Sequence, residues 1–597
     1  MKVTPSQNPF KILYQAMWHY ARGFRYQMPI FLGLLTAGML LTQSGPYILG
    51  EIVSELQHLV TKKSYSPQHL YHLLMFYGSL SLGFWMLHGP GRVIERRFAF
   101  KVRMACFNDL YNRVQSLPLS WQQDHHSGNI ISRITTGTEG LFKYTEEQFI
   151  SIRSMAKIFV PIAFLIYLAW PLAVMCLITT IITFIVIRYY DGILLPMFTK
   201  RREQGHSLSA LVFDYIVNIQ TIITLRLGLH TKKEIAHRLE QQREVLFKEA
   251  KWIEIKWAAL DNLVSFNSVM AIVYIVWLFR NGSLTEIGLV VSLLQYMRSF
   301  SEVFYDLGSR YETIVRQAND YKSTAIIHDA YDALHQPGHE QDDEIVVPFT
   351  TIEVKDISFA YKAGQPQQLQ EVNLTIKKGE RIALVGESGS GKSTIMKLLR
   401  GLYPVSSGTL WIDGVQQHSF APLKALTTLI PQEPEIFENT IRYNITMGVE
   451  HDDIATLEAC RIAAFDTVLA QMPNGLDTDI REKGVNLSGG QKQRLALARG
   501  VFAIEDSAVI LLDEPTSSID GITEQTIYRN LFASFPDKCL IGSIHRLHLL
   551  TQFDTIYVFN RGRIVQSGTL NDLLAQDDGL FKTMWNAYQM AQDSDVL

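Results

Sequence analysis

Between Lys157 and Arg188 the chain runs through about thirty consecutive residues without a charge, IFVPIAFLIYLAWPLAVMCLITTIITFIVI. At about 1.5 Å per residue, one helix of that length overshoots the roughly 30 Å of hydrocarbon in a bilayer. AWPL lies in the middle of the run. Pro171 cannot continue helical hydrogen bonding, and Trp170 suits a membrane interface. The run therefore reads as a helical hairpin of two spans. The first of them starts upstream, near Thr145, and carries Arg153 and Lys157 at its inner end.

Four other stretches are apolar enough to cross. They are residues 28–49 (despite Pro46), 70–88, 263–279 and 287–304. The second ends at HGPGR, which predicts a kink or stop, and RNGSLTE joins the last two. The total is six spans. The Arg- and Lys-rich stretches 92–143 and 188–256 then both fall on the N-terminal, cytoplasmic side, as the positive-inside rule requires, with slight dissent from Lys62 and Lys63. A single span at Pro171 would put the second basic stretch outside. Both stretches carry amphipathic patterns, FAFKVRMACFNDLYNRVQ and SLSALVFDYIVNIQTIITLRL, which predict helices continuing into the cytoplasm. Residues 1–27 lack the apolar core of a cleavable signal peptide. Their aromatic and basic residues suit a helix on the membrane surface.

The last span carries a polar stripe. Gly288, Ser292, Gln295, Ser299 and Glu302 follow one helix face, and Arg298 stands four residues before Glu302. Polar residues in a span face a bundle interior or a water-filled cavity. The readings that stand are a solute pathway through Ser292, Gln295, Arg298 and Ser299, with Asn267 as a weaker member, or helix-to-helix contact, or a helix end already out in the cytoplasm.

The whole-chain averages conceal this asymmetry. In 597 residues, hydrophobic types make up 47% and charged types 19%, ordinary values for a soluble protein. A net charge of −3 gives no sign of a nucleic-acid partner. The four cysteines, Cys106, Cys176, Cys460 and Cys539, form no CxxC, so neither a zinc site nor a disulfide framework is indicated and inert buried thiols are expected.

Beyond residue 346 the chain reads as a soluble α/β domain. TTIEVKDISFAY alternates like a strand. KGERIALVGESGSGKSTIMKLLRGLYP then gives strand, glycine-rich loop and helix in order, and Gly386 to Ser393 fits G-x-x-x-x-G-K-[ST]. Such a loop (Gly386, Glu387, Ser388, Gly389, Ser390, Gly391, Lys392, Ser393, Thr394) turns backbone N–H groups toward phosphate oxygens, helped by the helix dipole. Lys392 reaches the outer phosphates and the Ser393 hydroxyl coordinates Mg²⁺. In AVILLDEPTSSID an apolar strand ends in Asp513, placed to hold Mg²⁺, and Glu514, placed to polarise the attacking water as general base.

With these residues goes NLSGGQKQR, from Asn486, a glycine-containing loop without the lysine of a phosphate loop. Together the motifs resemble those of ABC transporters, in particular exporters that fuse six spans to one ATPase domain, and the resemblance covers nearly the whole chain. LSGGQ matches the family's signature loop. The resemblance implies that Tyr361 stacks on adenine and that Gln432, in PQEPEIF, senses γ-phosphate and Mg²⁺. It makes SSID, ending at Asp520, the D-loop, and His545 the switch histidine on the γ-phosphate. Two departures occur. Arg481 stands where a glycine is usual before the signature, and Ser518 and Ile519 replace the common Ala and Leu.

The fold class expected is an all-α, six-helix transmembrane domain with long cytoplasmic extensions, followed by an α/β P-loop ATPase domain with a helical subdomain. The expected boundaries are 1–27 for an elbow helix, 28–325 for the membrane domain, 326–346 for a linker and 347–590 for the ATPase domain. The resemblance further implies coupling helices near 136–142 and 212–218, and ATP and Mg²⁺ as ligands. It implies a homodimer in which Ser488, Gly489, Gly490 and Gln491 of one chain reach the ATP held by the other. The function expected is ATP-driven export of an amphipathic substrate (a lipid, drug-like compound or peptide) from a bacterial inner membrane. An importer on the same fold and an ATP-gated channel are the alternatives. A peptide-processing exporter is disfavoured, because no protease domain fits before Met28.

Overall fold

The computed structural model describes residues 8–61, 66–125, 127–282, 285–334, 348–362, 364–480, 487–504, 507–576 and 578–594. The chain forms two compact units, Met1–Ser116 with Ser127–Leu334, and Leu117–His126 with His335–Leu597. Arg481, and residues 335–346 of the expected 326–346 linker, lie outside the described residues.

The first unit is helical. Helix α1 (Pro9–Tyr20) starts with Asn8 accepting from the Phe10 amide and proline at its first turn. Ile12, Leu13, Ala16 and Met17 are buried, while Phe10, Tyr14 and Trp18 stay exposed. Helices α2 (Gln27–Gln43) and α3 (Gly45–Val60) are separated at Ser44, so Pro46 opens a helix instead of interrupting one. Helix α4 (Pro67–Ser116) passes through Pro90 without ending, so of the kink or stop expected at HGPGR the stop does not occur. Proline removes one hydrogen bond. Here the packing around it is close enough to hold the helix, since the Cβ position of Gly91 lies 3.0 Å from Leu35 Cδ2 of α2.

The short helix α5 (Leu119–Asp124) belongs to the second unit. Next come α6 (Ser127–Glu146) and α7 (Gln148–Val217), with Glu147 between them. Ala169 is the non-helical residue inside α7, at φ −158° and ψ 76°, two positions before Pro171. Helices α8 (Ile219–Thr224), α9 (Gly228–Arg280), α10 (Ile287–Lys322) and α11 (Ala325–Leu334) complete the unit. Among the described residues four helical stretches are long and apolar enough to cross a membrane: Gln27–Val60, Pro67–Ser116, Ser127–Val217 and Gly228–Arg280. The third contains the break at Ala169. Helix α10 is not among them, because its serines, Gln295, Arg298 and Glu302 dilute its apolar content.

Helix α10 is held by small residues and ion pairs. A Cβ on Gly288 would run into the Gly50 backbone and the Ser54 side chain. Ser292 donates to the Pro46 carbonyl at 3.1 Å, Tyr296 to the Gln43 carbonyl at 3.1 Å, and Ser299 to Gln43 Oε1 at 3.3 Å. Ion pairs tie it to α7 through Lys157–Glu302 at 2.8 Å and Arg153–Asp306 at 3.3 Å. Lys256 of α9, fully buried, meets Glu312 of α10 and Asp191 of α7. Arg310 and Gln317 both reach Glu147 at the α6–α7 break.

The segments expected to be coupling helices sit differently. Residues 136–142 lie inside α6, where Gly137 and Gly140 let it close on α10; a Cβ on Gly140 would stand 2.9 Å from the Gln317 carbonyl. That stretch is internal packing. Residues 212–218 are the end of α7, and the chain reverses just after them through α8. Ile216, Ile219, Ile223 and Leu225 are exposed around this reversal.

In the second unit an antiparallel sheet packs beside a mixed one. Strands β1 (Thr351–Phe359), β2 (Leu369–Lys377), β4 (Ser407–Ile412) and β5 (Val415–Gln416) form the order β2-β1-β4-β5. Strands β3 (Arg381–Gly386), β6 (Thr427–Ile430), β9 (Val509–Asp513), β10 (Cys539–Ser543), β11 (Thr555–Asn560) and β12 (Arg563–Gly568) form β12-β11-β3-β10-β9-β6. A short pair, β7 (Asn439–Thr440) and β8 (Asp479–Ile480), lies apart. Strand β9 is buried throughout, as a central parallel strand covered on both faces must be. All four cysteines are buried and unpaired.

The α3–α10 contact predicts its own sensitivity. Gly288→Val should overpack the contact and destabilise the first unit by about 1–3 kcal/mol. Gly78→Ala, with nothing within 4 Å of the new Cβ, should leave the thermal midpoint unchanged or raised. Equal midpoints for both variants in detergent would refute the packing argument.

Candidate functional site: a phosphate loop and a shared carboxylate

Strand β3 delivers the chain to the phosphate loop, and helix α12 (Lys392–Leu399) carries it away. Two glycines are needed for geometry. Gly386 packs so close to the Phe559 carbonyl that no side chain fits, and Gly391 caps α12 at φ +112°. Lys392 is buried, and its ammonium donates to the carbonyls of Gly386 at 2.7 Å and Glu387 at 3.1 Å. Burial lowers its pKa, opposed by the carboxylates of Glu514 and Asp513. Among the described residues the buried Ser390 hydroxyl has no hydrogen-bond partner. An orphaned donor inside a ring of amides fits a phosphate oxygen.

Ser393 donates to Asp513 Oδ1 at 2.7 Å. Burial raises the Asp513 pKa, and the Ser393 hydrogen bond opposes that. These two hard oxygen donors fit Mg²⁺. Glu514 follows with φ +48°, a left-handed conformation unusual for a non-glycine residue. Three side chains converge on its carboxylate: His545 Nε2 at 2.5 Å from Oε1, Gln432 Nε2 donating to Oε2 at 2.9 Å, and Ser543 donating to Oε1 at 3.4 Å. Gln432 thus donates through its nitrogen and keeps its amide oxygen for a cation. Tyr361 reaches the same loop, its hydroxyl 3.2 Å from Thr394 Oγ1. The structure therefore gathers Tyr361, Gly386–Thr394, Gln432, Asp513, Glu514 and His545, from five separate stretches of sequence, into one site.

The signature segment is not joined to it. Among the described residues no hydrogen bond or ion pair links Ser488, Gly489, Gly490 or Gln491 to Gly386–Thr394. Ser488 instead caps the helix Gly489–Phe502 in a capping box: its hydroxyl accepts from the Gln491 amide at 3.3 Å, and Gln491 Oε1 accepts from the Ser488 amide at 2.9 Å. Asp520 caps the next helix, Gly521–Ser534, by accepting from Thr523 N at 2.9 Å. Gln493, which the motif reading passed over, joins the two segments. Its Nε2 donates to Ser517 Oγ and its Oε1 accepts from Ser518 N, both at 2.8 Å. No sequence signal marks it, because its burial one turn into that helix shows only in the fold.

The residues named for a substrate pathway separate. Ser292 and Ser299 bond to α3 and α2, as described above, and Asn267 is buried with Oδ1 accepting from Thr179 at 3.0 Å. Gln295 and Arg298 are exposed. The first three make helix contacts through the Ser292 and Ser299 hydroxyls and the Asn267 amide oxygen.

Two family models match the chain, one described as ABC transporter over residues 369–517 and one as ABC transporter transmembrane region over residues 28–304. The chain belongs to the ABC transporter superfamily. It is similar to the ABC multidrug transporter MDR2 of Trichophyton interdigitale, at 30% identity over 466 residues, which is 76% of this chain. This chain spans about a third of that relative's length, 33%. Others match over most of both lengths. The mitochondrial iron-sulfur clusters transporter ATM1 of Yarrowia lipolytica is 25% identical, covering 95% of this chain and 80% of the relative. The β-(1→2)glucan export ATP-binding/permease protein NdvA of Rhodopseudomonas palustris is 28% identical, covering 86% of each. A solved bacterial Atm1-family ABC exporter with ATP bound superposes with a TM-score of 0.78 over 94% of this ABC protein and 98% of that chain, at 21% identity. This last likeness bears on fold alone.

Gln493→Leu would leave Ser517 and the Ser518 amide unpaired. ATPase turnover should fall about tenfold, equivalent to roughly 1.4 kcal/mol, while the affinity for ATP stays unchanged. Full turnover in the variant would show that the tie between the signature helix and the D-loop is dispensable.

Proposed function

We propose that this chain is one half of a homodimeric, ATP-driven exporter. The observation that carries the reading is the carboxylate of Glu514, held by His545 and Gln432 at the end of a buried strand in a chain whose other unit is built of membrane-length helices. When bound, ATP supplies the phosphoanhydride bond and Mg²⁺ neutralises its developing charge. Ser393, Asp513 and the amide oxygen of Gln432 would hold the ion. Lys392 exchanges loop carbonyls for phosphate oxygens. His545, released from Glu514, turns to the γ-phosphate, and Glu514 then accepts a proton from the attacking water.

The complete loop and the detached signature segment support a dimer. Ser488, Gly489 and Gly490 present a helix N-terminus without the lysine of a receiver, so each chain offers two half-sites. Asp520 would sit beside this junction. The exposed apolar reversal around α8 suits docking on the second chain's ATPase domain. ATP binding closes the soluble halves because it is held better by the closed dimer than ADP is, and hydrolysis resets it. Gln295, Arg298 and Glu302 leave a polar, partly cationic face on α10 that lipid tails would not accommodate. That face supports an amphipathic substrate, such as a lipid, drug-like compound or peptide, moved out of the cytoplasm or the inner leaflet. Membrane lipids surround the helical unit in this reading. The proposed address is a bacterial inner membrane with the ATPase domain in the cytoplasm; the relatives named above include a mitochondrial protein as well as a bacterial one.

Glu514→Gln should lower hydrolysis by about 10²–10⁴-fold while ATP still binds and the dimer still closes; hydrolysis near the wild-type rate would remove Glu514 as base. Ser488→Arg should keep ATP binding and abolish both closure and turnover, measured by nucleotide binding beside ATPase assays in reconstituted vesicles. A Ser488→Arg protein with normal turnover would contradict the composite site.

A further inference from the structure

The adenine end of the site is connected to a piece of chain that comes from between two membrane-unit helices. Tyr361 stands edge-on to Tyr403, with ring centroids 5.1 Å apart at 85°. Phe359 packs against both rings. The Tyr403 ring is buried, and its hydroxyl donates to Gln123 Oε1 of α5 at 2.8 Å. Lys362, next to Tyr361, pairs with Asp124 of α5 at 2.9 Å. Helix α5 is anchored here by apolar contact as well. Leu117 is buried, and Leu119 packs on the hydrophobic cluster that contains Phe359 and Tyr403.

We propose that Tyr403 is a positioning residue for Tyr361, and that Gln123 makes the affinity for the adenine base depend on where α5 sits. The inference rests on the reading of Tyr361 as the adenine platform. Edge-to-face packing fixes the tilt of a ring, since the positive edge of one seeks the negative face of the other. Tyr361 is tilted by Tyr403 at one end and tied to Thr394 of the phosphate loop at the other, so its stacking face is set from both sides. Among the described residues the Tyr403 hydroxyl makes its side-chain hydrogen bond with Gln123. The Lys362–Asp124 pair is exposed on both sides and adds little by itself. Helix α5 is continuous in sequence, through two residues at each end, with the long helices α4 and α6. A shift of those helices therefore alters the acceptor at Tyr403, the tilt of Tyr361 and the hold on adenine, without touching any group that contacts phosphate.

The test uses the full-length protein in lipid nanodiscs, measuring the affinity for ATP beside that for inorganic tripolyphosphate, which lacks the base. Tyr403→Phe keeps the ring and removes the hydrogen bond; Gln123→Ala removes the acceptor. Each should weaken ATP by about 3–10-fold, the range of one ordinary hydrogen bond, and leave tripolyphosphate unchanged. The double variant should be no weaker than either single one, and Gln123→Glu, which keeps the acceptor, should restore the wild-type value. In ATPase assays KM for ATP should rise while kcat holds. Equal losses for ATP and tripolyphosphate would mark a structural role only and overturn the proposal. Tyr361→Ala separates the two readings. If it weakens ATP selectively while Tyr403→Phe and Gln123→Ala do not, the relay fails alone; if it leaves ATP affinity intact, the adenine platform itself is misplaced and the relay falls with it.

Discussion

The parallel register of three strands is the constraint on which the site depends. Ser543 stands level with Asp513, and Leu512 level with Ile430. Strands β6, β9 and β10 therefore end at the same height, and the residues just past their ends, Gln432, Glu514 and His545, are forced together. A crevice at the carboxyl ends of parallel strands is where open α/β sheets place ligands. Glu514 turns left-handed at that edge and brings its carboxylate back under the side chains of His545, Gln432 and Ser543. That cost in backbone strain is sustained because β9 is buried along its whole length and cannot relax outward. In the proposed mechanism Glu514 acts as base only after a ligand draws these side chains away.

What the sequence made legible follows the range of the interaction involved. Covalent and one-turn effects were readable. AWPL implied a break because proline lacks an amide hydrogen, and Ala169 is non-helical two residues before it. The phosphate loop was readable because its glycines and lysine lie within nine residues. HGPGR misled because the fate of a proline inside a helix depends on neighbours. Leu35 packs against Gly91, and helix α4 continues. The stripe on α10 could not be resolved into contact and pathway because a serine facing Pro46 looks the same in sequence as one facing water. The resemblance put a coupling segment at 136–142, and the structure makes those residues the interior of α6. The six residues of α5 are too few to show a period, and only Pro118 marks their start. Tyr403 and Gln123 lie 280 positions apart, and nothing local announces their meeting.

Helix α10 shows how a polar sequence can remain a packed helix. Its charges are placed where other helices supply opposite ones: Lys157 and Arg153 on α7, Lys256 on α9, and Glu147 at the α6–α7 break. Removing one partner of buried Lys256 or Arg310 leaves an uncompensated charge, which costs more than the pair contributes, whereas Lys157–Glu302 and Arg153–Asp306 are partly exposed and contribute less. The arrangement therefore fixes register between helices more than it adds stability. Its open residues, Gln295 and Arg298, are those without such a counterpart on α2 or α3.

The four cysteines give the molecule a property unrelated to its chemistry of phosphates. Cys106 and Cys176 are enclosed by helices of the first unit, and Cys460 and Cys539 by the core of the second. Thiolates react only when formed and reached, and none of these sulfurs is reached in the folded chain. A maleimide dye or nitroxide offered to the native protein would find no target, while a single cysteine introduced on α5 or α8 would be labelled alone. The protein thus comes ready for distance spectroscopy with its natural thiols left in place.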